Sequence, residues 1–252
     1  MVQNGDDMFQ YNEPFGHSVI DNFLDENIAL KLSNEVLDYH SANWFVYDNP
    51  LEVKKALNNW YFFPPKTYNF FQYLNSPEFI EKLENLTGIK GLQPDHGLHG
   101  AGWHIQGQGS KLNVHLDYSI HPKLNLLRKI NFIYYLTPDW QPEWGGNLEF
   151  WSHDKETNLP KEKVTTIDYK FNRLVLFDTD QNSWHGFYDK LTCPNNIYRK
   201  SIAMYYLVQP MIGEVSTRNR ALYAPSDEQK NNKEILELID KRVKLIDKRV
   251  KL

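Results

Sequence analysis

The sequence predicts a mostly β domain, a sandwich or jelly roll with N-terminal helices packed against one face. Three observations predict it. Two helical patterns, the second with clear start and stop signals, come before residue 91. From about residue 92 the texture changes to short strand-like runs separated by turn residues. The length of 252 residues, 41% of them hydrophobic and 14% aromatic, suits one well-packed domain of this class.

The elements follow in order. Residues 1–16, polar and acidic, read as a flexible arm without the basic start and apolar run of a secretory signal. Residues 17–24 read as a strand followed by a turn. Asp25 can cap a helix whose buried stripe is Ile28, Leu32, Val36 and Leu37, with Tyr39 close behind. A second helix is capped by Ser76, carries Pro77 in its first turn and buries Phe79, Ile80, Leu83 and Leu86. Gly88 can end it in a left-handed conformation. The aromatic stretch 58–74 between them contains Pro64 and Pro65. It reads as packed loop and short helix, because proline cannot sit in a central ladder.

Strand-like runs then cover 111–118, 129–136, 147–152, 163–169, 173–180, 184–188 and 199–208, with turns at Gly145-Gly146 and Phe171-Asn172. Residues 17–228 are thus expected to form one domain, with helical and aromatic support over 17–91 and a jelly-roll core over 92–210. Residues 229–252 predict an amphipathic helix with a heptad repeat. LIDKRVK at 238–244 returns at 245–251 and aligns Leu238, Leu245 and Leu252, with Ile239 and Ile246 beside them. Barely two heptads fall short of a coiled coil, so the tail is either a solvated helix or a short surface for self-association.

Composition narrows the function. The formal charge is -4, from 28 basic and 32 acidic residues, which argues against a nucleic-acid surface. Cys193 is the single cysteine, so an internal disulfide and a multi-thiolate zinc site are excluded. No run approaches the length of a membrane span. The expectation is a soluble, cytoplasmic protein with no nucleic-acid or membrane partner.

The chemistry concentrates at Asn113-Val114-His115-Leu116-Asp117. On a strand, His115 and Asp117 point to one face. Ser183-Trp184-His185-Gly186 offers a third ligand, after the apolar strand 173–180. Two imidazoles and one carboxylate make the facial set that suits iron(II) and leaves positions open for a chelating 2-oxo acid and dioxygen. In a chain with nine histidines, HxD alone can also be an ordinary core or surface pair. His17, His40, His96, His99, His121 and His153 read as structural. His104, on the run before HxD, either lines the pocket or serves the structure.

A dicarboxylic 2-oxo acid leaves a distal carboxylate deep in the fold, which is costly unless paired. Arg199 opens a very apolar strand, shares a face with Ser201 and Ala203, and suits that role with its planar fork. Tyr135 can add a phenol hydrogen bond to the same group.

These pieces, taken in order, resemble the prolyl 4-hydroxylase-like branch of the 2-oxoglutarate and iron(II)-dependent oxygenases. The likeness is strongest to the hypoxia-inducible-factor (EGL-nine type) prolyl hydroxylases. It runs from about 101 to 208 and rests on residues 105–110, His115-Leu116-Asp117, 128–136, Asp139-Trp140, Gly145-Gly146 with Leu148, 171–178, His185 and 199–206. The resemblance implies a double-stranded β-helix (jelly-roll) core, with His115, Asp117 and His185 on Fe(II) and Arg199 and Tyr135 on 2-oxoglutarate. Ser201 and Leu148 fall where relatives line the co-substrate pocket. It also implies dioxygen as oxidant, ascorbate as a reductant, and hydroxylation of an unactivated C–H bond coupled to decarboxylation to succinate. The substrate it implies first is a prolyl residue in a peptide or protein, then a free amino acid or small metabolite, approaching near Tyr118, Trp184 and His104. Two departures stand out. Ile105 occupies a place where relatives often carry tyrosine, and 190–196 is an insert before Arg199. The rival readings are a zinc hydrolase with the same ligands and a non-catalytic jelly-roll binding module.

Overall fold

The computed structural model describes residues 9–179, 182–211, 218 and 220–247, with the backbone alone for 243–247. Three α-helices lie before residue 91, interleaved with strands: α1 (Glu26–Glu35), α2 (Pro65–Leu74) and α3 (Pro77–Thr87). Asp25 caps α1 by accepting from the amides of Asn27 and Ile28. Ser76 caps α3 by accepting from Phe79, and Gly88 closes it at φ 72° with its amide on the Glu84 carbonyl. The α1 stripe differs from expectation. Its buried face is Ala29, Leu32 and Ser33, and Ile28 is exposed. The helix ends at Glu35 because Val36 is extended, so Val36, Leu37 and Tyr39 pack from the following loop.

Thirteen antiparallel strands form one curled sheet. They are β1 (His17–Ile20), β2 (Phe45–Asn49), β3 (Glu52–Leu57), β4 (Gln93–Pro94), β5 (Gly102–Gln106), β6 (Lys111–Leu116) and β7 (Leu127–Tyr135). The rest are β8 (Leu148–Asp154), β9 (Leu159–Ile167), β10 (Leu174–Asp178), β11 (Trp184–Phe187), β12 (Arg199–Val208) and β13 (Leu222–Tyr223). Their order is β1-β10-β7-β12-β5-β3-β6-β11-β8-β9, with β2 on β3, β4 on β12 and β13 on β6. The sheet nearly closes on itself, which is the jelly-roll architecture the sequence predicts.

The expected divisions shift at four places. The arm is packed from residue 9 on, since Phe9 and Phe15 are buried; residues 1–8 lie outside the described residues. The segment 17–91 supplies β1, β2 and β3 to the sheet as well as helices. The core extends past 210 to β13. The last helix, α4 (Lys233–Asp247), starts later than 229, because Gln229 belongs to the core. Gln229 Oε1 accepts from Asn113 Nδ2 at 2.6 Å, and its Nε2 donates to the Pro50 carbonyl. Leu252 and the end of the second heptad copy lie outside the described residues, as do the side chains of Leu245 and Ile246. No described helix is long and apolar enough to cross a membrane.

The two faces of the sheet have different tasks. Ile130, Phe132 and Tyr134 of β7 and Ile202, Met204 and Tyr206 of β12 turn outward and pack with α1–α3 into the larger core. The alternate residues, Asn131 and Tyr135 of β7 and Arg199 and Ser201 of β12, turn inward. With both faces covered, β12 reads as a nearly continuous apolar run.

Candidate metal centre

Strand β6 carries His115 inward, with Asp117 following on the same side. Strand β11 sets His185 directly opposite His115 in register. Gly186 makes this approach possible: at φ 151°, a Cβ there would lie 2.7 Å from the Asn113 carbonyl oxygen. One ligand atom from each of His115, Asp117 and His185 lies within 4.8 Å of the others. The Nε2 atoms of His115 and His185 lie 3.6 and 3.8 Å from the Asp117 carboxylate oxygens. Each Nδ1 lies 2.9 Å from a backbone carbonyl, of Asn113 and of Ser183. A carbonyl only accepts, so each Nδ1 carries a proton, and Nε2 is the ring atom turned toward the carboxylate. Burial pushes the His185 pKa down to about 4, with His115 beside it, and so favours the neutral ligand form. For Asp117 burial works against the charge, but His115, His185 and Arg128 outweigh it and hold the carboxyl well below its usual range.

The carboxylate has supports that sequence reading missed. Asn131 Nδ2 donates to Asp117 Oδ2 at 3.0 Å, and Arg128 Nη1 lies 3.6 Å from the same oxygen. Arg128 is buried between the rings of Tyr118 and Tyr205, at 3.4 and 3.2 Å from their centroids. The carbonyl of His99 accepts from both Arg128 Nη2 and the Tyr118 hydroxyl. One signal was available. A polar residue on the apolar run KINFIYYL needs a buried partner.

Deeper in the barrel, Arg199 is 6% exposed and has no carboxylate partner among the described residues. Its Nε donates to the Gly146 carbonyl at 3.0 Å and its Nη1 to Gln106 Oε1 at 3.1 Å. Gly146 must lack a side chain, since a Cβ would meet Leu191 at 2.7 Å and Arg199 at 3.0 Å. Leu191 belongs to the 190–196 insert and packs inward with Cys193, while the rest of the insert is exposed. Gln106 pairs with Arg199 in register, His104 with Ser201, and Ser201 with Tyr135. The Tyr135 hydroxyl and Gln106 Nε2 are buried without a hydrogen-bond partner. Arg199, the Tyr135 hydroxyl and Gln106 Nε2 are thus buried donors on neighbouring strands, and among the described residues no carboxylate pairs with them, which suits a bound carboxylate. Leu148 packs beside them with Tyr135 and Phe187. The register brings Gln106 to Arg199, whereas Ile105 faces the helices.

A cavity of about 860 Å³ opens onto His115 and Asp117. Tyr118 and His104 line it, together with the β2–β3 hairpin residues Tyr47, Glu52 and Lys54. Burial, with Lys54 and Arg199 nearby, pushes His104 down to about 3. His99, read as structural, also lines this space. Trp184 does not reach it. Alternation turns Trp184 away from His185 into an apolar cluster with Val114 and Leu116, where its indole donates to His153.

The 2OG-Fe(II) oxygenase superfamily model matches residues 101–207. Mouse (Mus musculus) prolyl 3-hydroxylase OGFOD1 is 36% identical over 58 residues, 23% of this chain and 10% of that protein. The chain thus matches only a tenth of that curated relative's length. A Pseudomonas putida prolyl-4-hydroxylase superposes with a TM-score of 0.56 at 18% identity, over 77% of this chain and 94% of that one. A Trichoplax adhaerens prolyl hydroxylase, solved with a hypoxia inducible factor oxygen degradation domain peptide, gives 0.53 at 20% identity, over 76% and 83%. At these identities the structures speak for the fold. The family match covers the strands that carry the site, and the two structural neighbours share the fold of those strands.

Proposed function

We propose that this protein is an Fe(II)- and 2-oxoglutarate-dependent dioxygenase that hydroxylates a prolyl residue in a peptide or protein. The observation that carries the reading is the buried, acid-free Arg199, set with Tyr135 and Gln106 behind two imidazoles and a carboxylate. His115, Asp117 and His185 would hold the iron, and two imidazole Nε2 atoms with one carboxylate suit that ion. Arg199 and Tyr135 would take the distal carboxylate of 2-oxoglutarate, with Ser201 and Leu148 against its carbon chain. When bound, the iron supplies the dioxygen chemistry that adds one oxygen to a C–H bond as 2-oxoglutarate becomes succinate and carbon dioxide. The protein's part is to orient Asp117 through Asn131 and Arg128, and to exclude water with the aromatic walls.

A zinc hydrolase would leave the buried donors around Arg199 without a task. The open cavity along Phe45–Asn49 suits an extended chain, and the Trichoplax neighbour holds a peptide. Purified protein given Fe(II), 2-oxoglutarate and air is expected to release succinate, faster with ascorbate. Arg199→Ala should weaken 2-oxoglutarate use by roughly 100-fold, the loss of a charge-assisted pair. Proline peptides should gain the mass of one oxygen, whereas free proline should not. Succinate release that persists in His115→Ala would sink the reading.

A further inference from the structure

The C-terminal helix reaches into this site. The half-buried residues of α4 are Ile235, Leu238, Ile239 and Arg242, an i, i+3, i+4, i+7 stripe lying toward β13. Three members are aliphatic; the fourth, within the first LIDKRVK copy, is a guanidinium. Arg242 places Nη1 and Nη2 each 3.4 Å from Glu52 Oε1 and its Cζ 4.9 Å from the centroid of the Tyr223 ring. Tyr223 in turn stacks on His115, with centroids 5.0 Å apart and planes 21° from parallel. Its register partner on β6 is His115 itself. Glu52, Tyr223, Arg242 and His115 all line the cavity.

Glu52 is an unusual residue for its place. It is a carboxylate only 4% exposed. Such a group is held ionised only by close partners. Burial raises its pKa, but Lys54, the Tyr223 hydroxyl and Arg242 outweigh burial and bring it below the ordinary value. Arg242 therefore closes a ring: helix to hairpin through Glu52, and helix to metal ligand through the Tyr223 face. His115 also holds its Nδ1 on the Asn113 carbonyl and faces the His185 ring at 4.4 Å, so Tyr223 is the side of the imidazole away from the other ligands that the helix can brace.

We infer that Arg242 is a positioning residue, which clamps Tyr223 and Glu52 so that the His115 imidazole is held in the plane a metal needs. The inference rests on the metal reading above. It gives the first heptad copy a role distinct from a zipper.

The test is Co(II) titration of the full chain, followed by its visible absorption, with no turnover required. Wild type should bind one Co(II) with a well-defined spectrum; if it binds none, the metal reading itself fails. Arg242→Ala should bind roughly tenfold more weakly, in the range that supporting contacts to metal ligands show, with a changed absorption envelope. Arg242→Lys, which keeps a charge but loses the planar face, should fall between. Lys241→Ala, on the exposed side of the same turn, should match wild type. Glu52→Gln, which keeps the side chain's shape, should shift affinity in the same direction as Arg242→Ala. It decides the matter if that variant loses its near-ultraviolet circular dichroism. Wild-type affinity and spectrum in a folded Arg242→Ala, or in Glu52→Gln, would overturn the inference.

Discussion

The two faces of β7 and β12 share a backbone and differ in almost everything else. Outward, rings close the space: Phe63 stacks on Phe71 at 4.8 Å, Trp103 meets Phe63 edge-on at 5.0 Å, and Phe79 packs on Phe132. Inward, the same strands bury Arg128, Asn131, Tyr135, Arg199 and Ser201. Of these, the Tyr135 hydroxyl, Asn131 Oδ1 and Arg128 Nε lack a partner atom, against Trp103 Nε1 alone among the outward rings just named. Burying polar groups unpaired is expensive, so a fold does it where a ligand completes the set. The difference separates a wall built for stability from a wall built for chemistry.

If that division holds, two alanine substitutions should give opposite profiles. Phe71→Ala, at a fully buried position between Phe63 and Trp60, should cost about 3–5 kcal/mol in chemical denaturation. Its Co(II) affinity should stay near wild type. His115→Ala should lose Co(II) binding by more than ~100-fold and lower the metal-free midpoint less than Phe71→Ala does, because it removes one ring beside Tyr223 rather than the centre of an apolar cluster. A Phe71→Ala protein that is stable but fails to bind metal would show the two walls to be one mechanical unit.

A smaller effect sharpens the same contrast through pH. His185 sits at about 4 against an ordinary 6.5, so between those values the unfolded chain binds a proton that the folded chain does not. Stability of the metal-free protein should then be level above pH 6.5 and decline as pH falls from 6.5 toward 4, by up to roughly 3 kcal/mol. His104, at about 3, adds to the decline with the same sign. His185→Gln should flatten the slope. Equal slopes in variant and wild type across that window would deny the inner wall this cost.

How much of this was readable from residues alone follows from the range of each signal. Caps are local, so Asp25, Ser76 and Gly88 could be placed by inspection. The period-two pairing of His115 with Asp117 is equally local. The same rule, carried one residue from His185, would have turned Trp184 away from the cavity. The β2–β3 hairpin gave no such pattern. Its strands mix Glu52, Lys54 and Lys55 with apolar residues, and its turn at Pro50-Leu51 lacks an Asn-Gly signal. Register is not local at all. That Gln106 meets Arg199, or that Asn131 meets Asp117, depends on which strands pair and with what offset. Arg242 illustrates the limit, since it contacts Glu52 from 190 residues away.

The smallest expected effect lies on the rim, where ion pairs face water. Asp21 is gripped by Arg173, with Nε to Oδ1 at 2.6 Å and Nη2 to Oδ2 at 3.0 Å, and Lys170 adds a contact at 2.8 Å. The Arg173 hydrogen bond, against a modest burial penalty, lowers the Asp21 carboxyl to about 2. By geometry this is a stronger ion pair than any at the metal centre. Yet the Asp21 side chain is 36% exposed, so solvent and salt screen it, and the shift overstates its worth. Asp21→Asn should cost less than about 1 kcal/mol near neutral pH. The contribution is present above pH 3.8 and fades as pH falls toward 2, and it should shrink further in 1 M salt. It should leave Co(II) affinity untouched. A larger, salt-independent loss would mean that the tie from the β1 turn to Arg173 braces the inner wall, and that the division between rim and site is less sharp than the burial of their charges indicates.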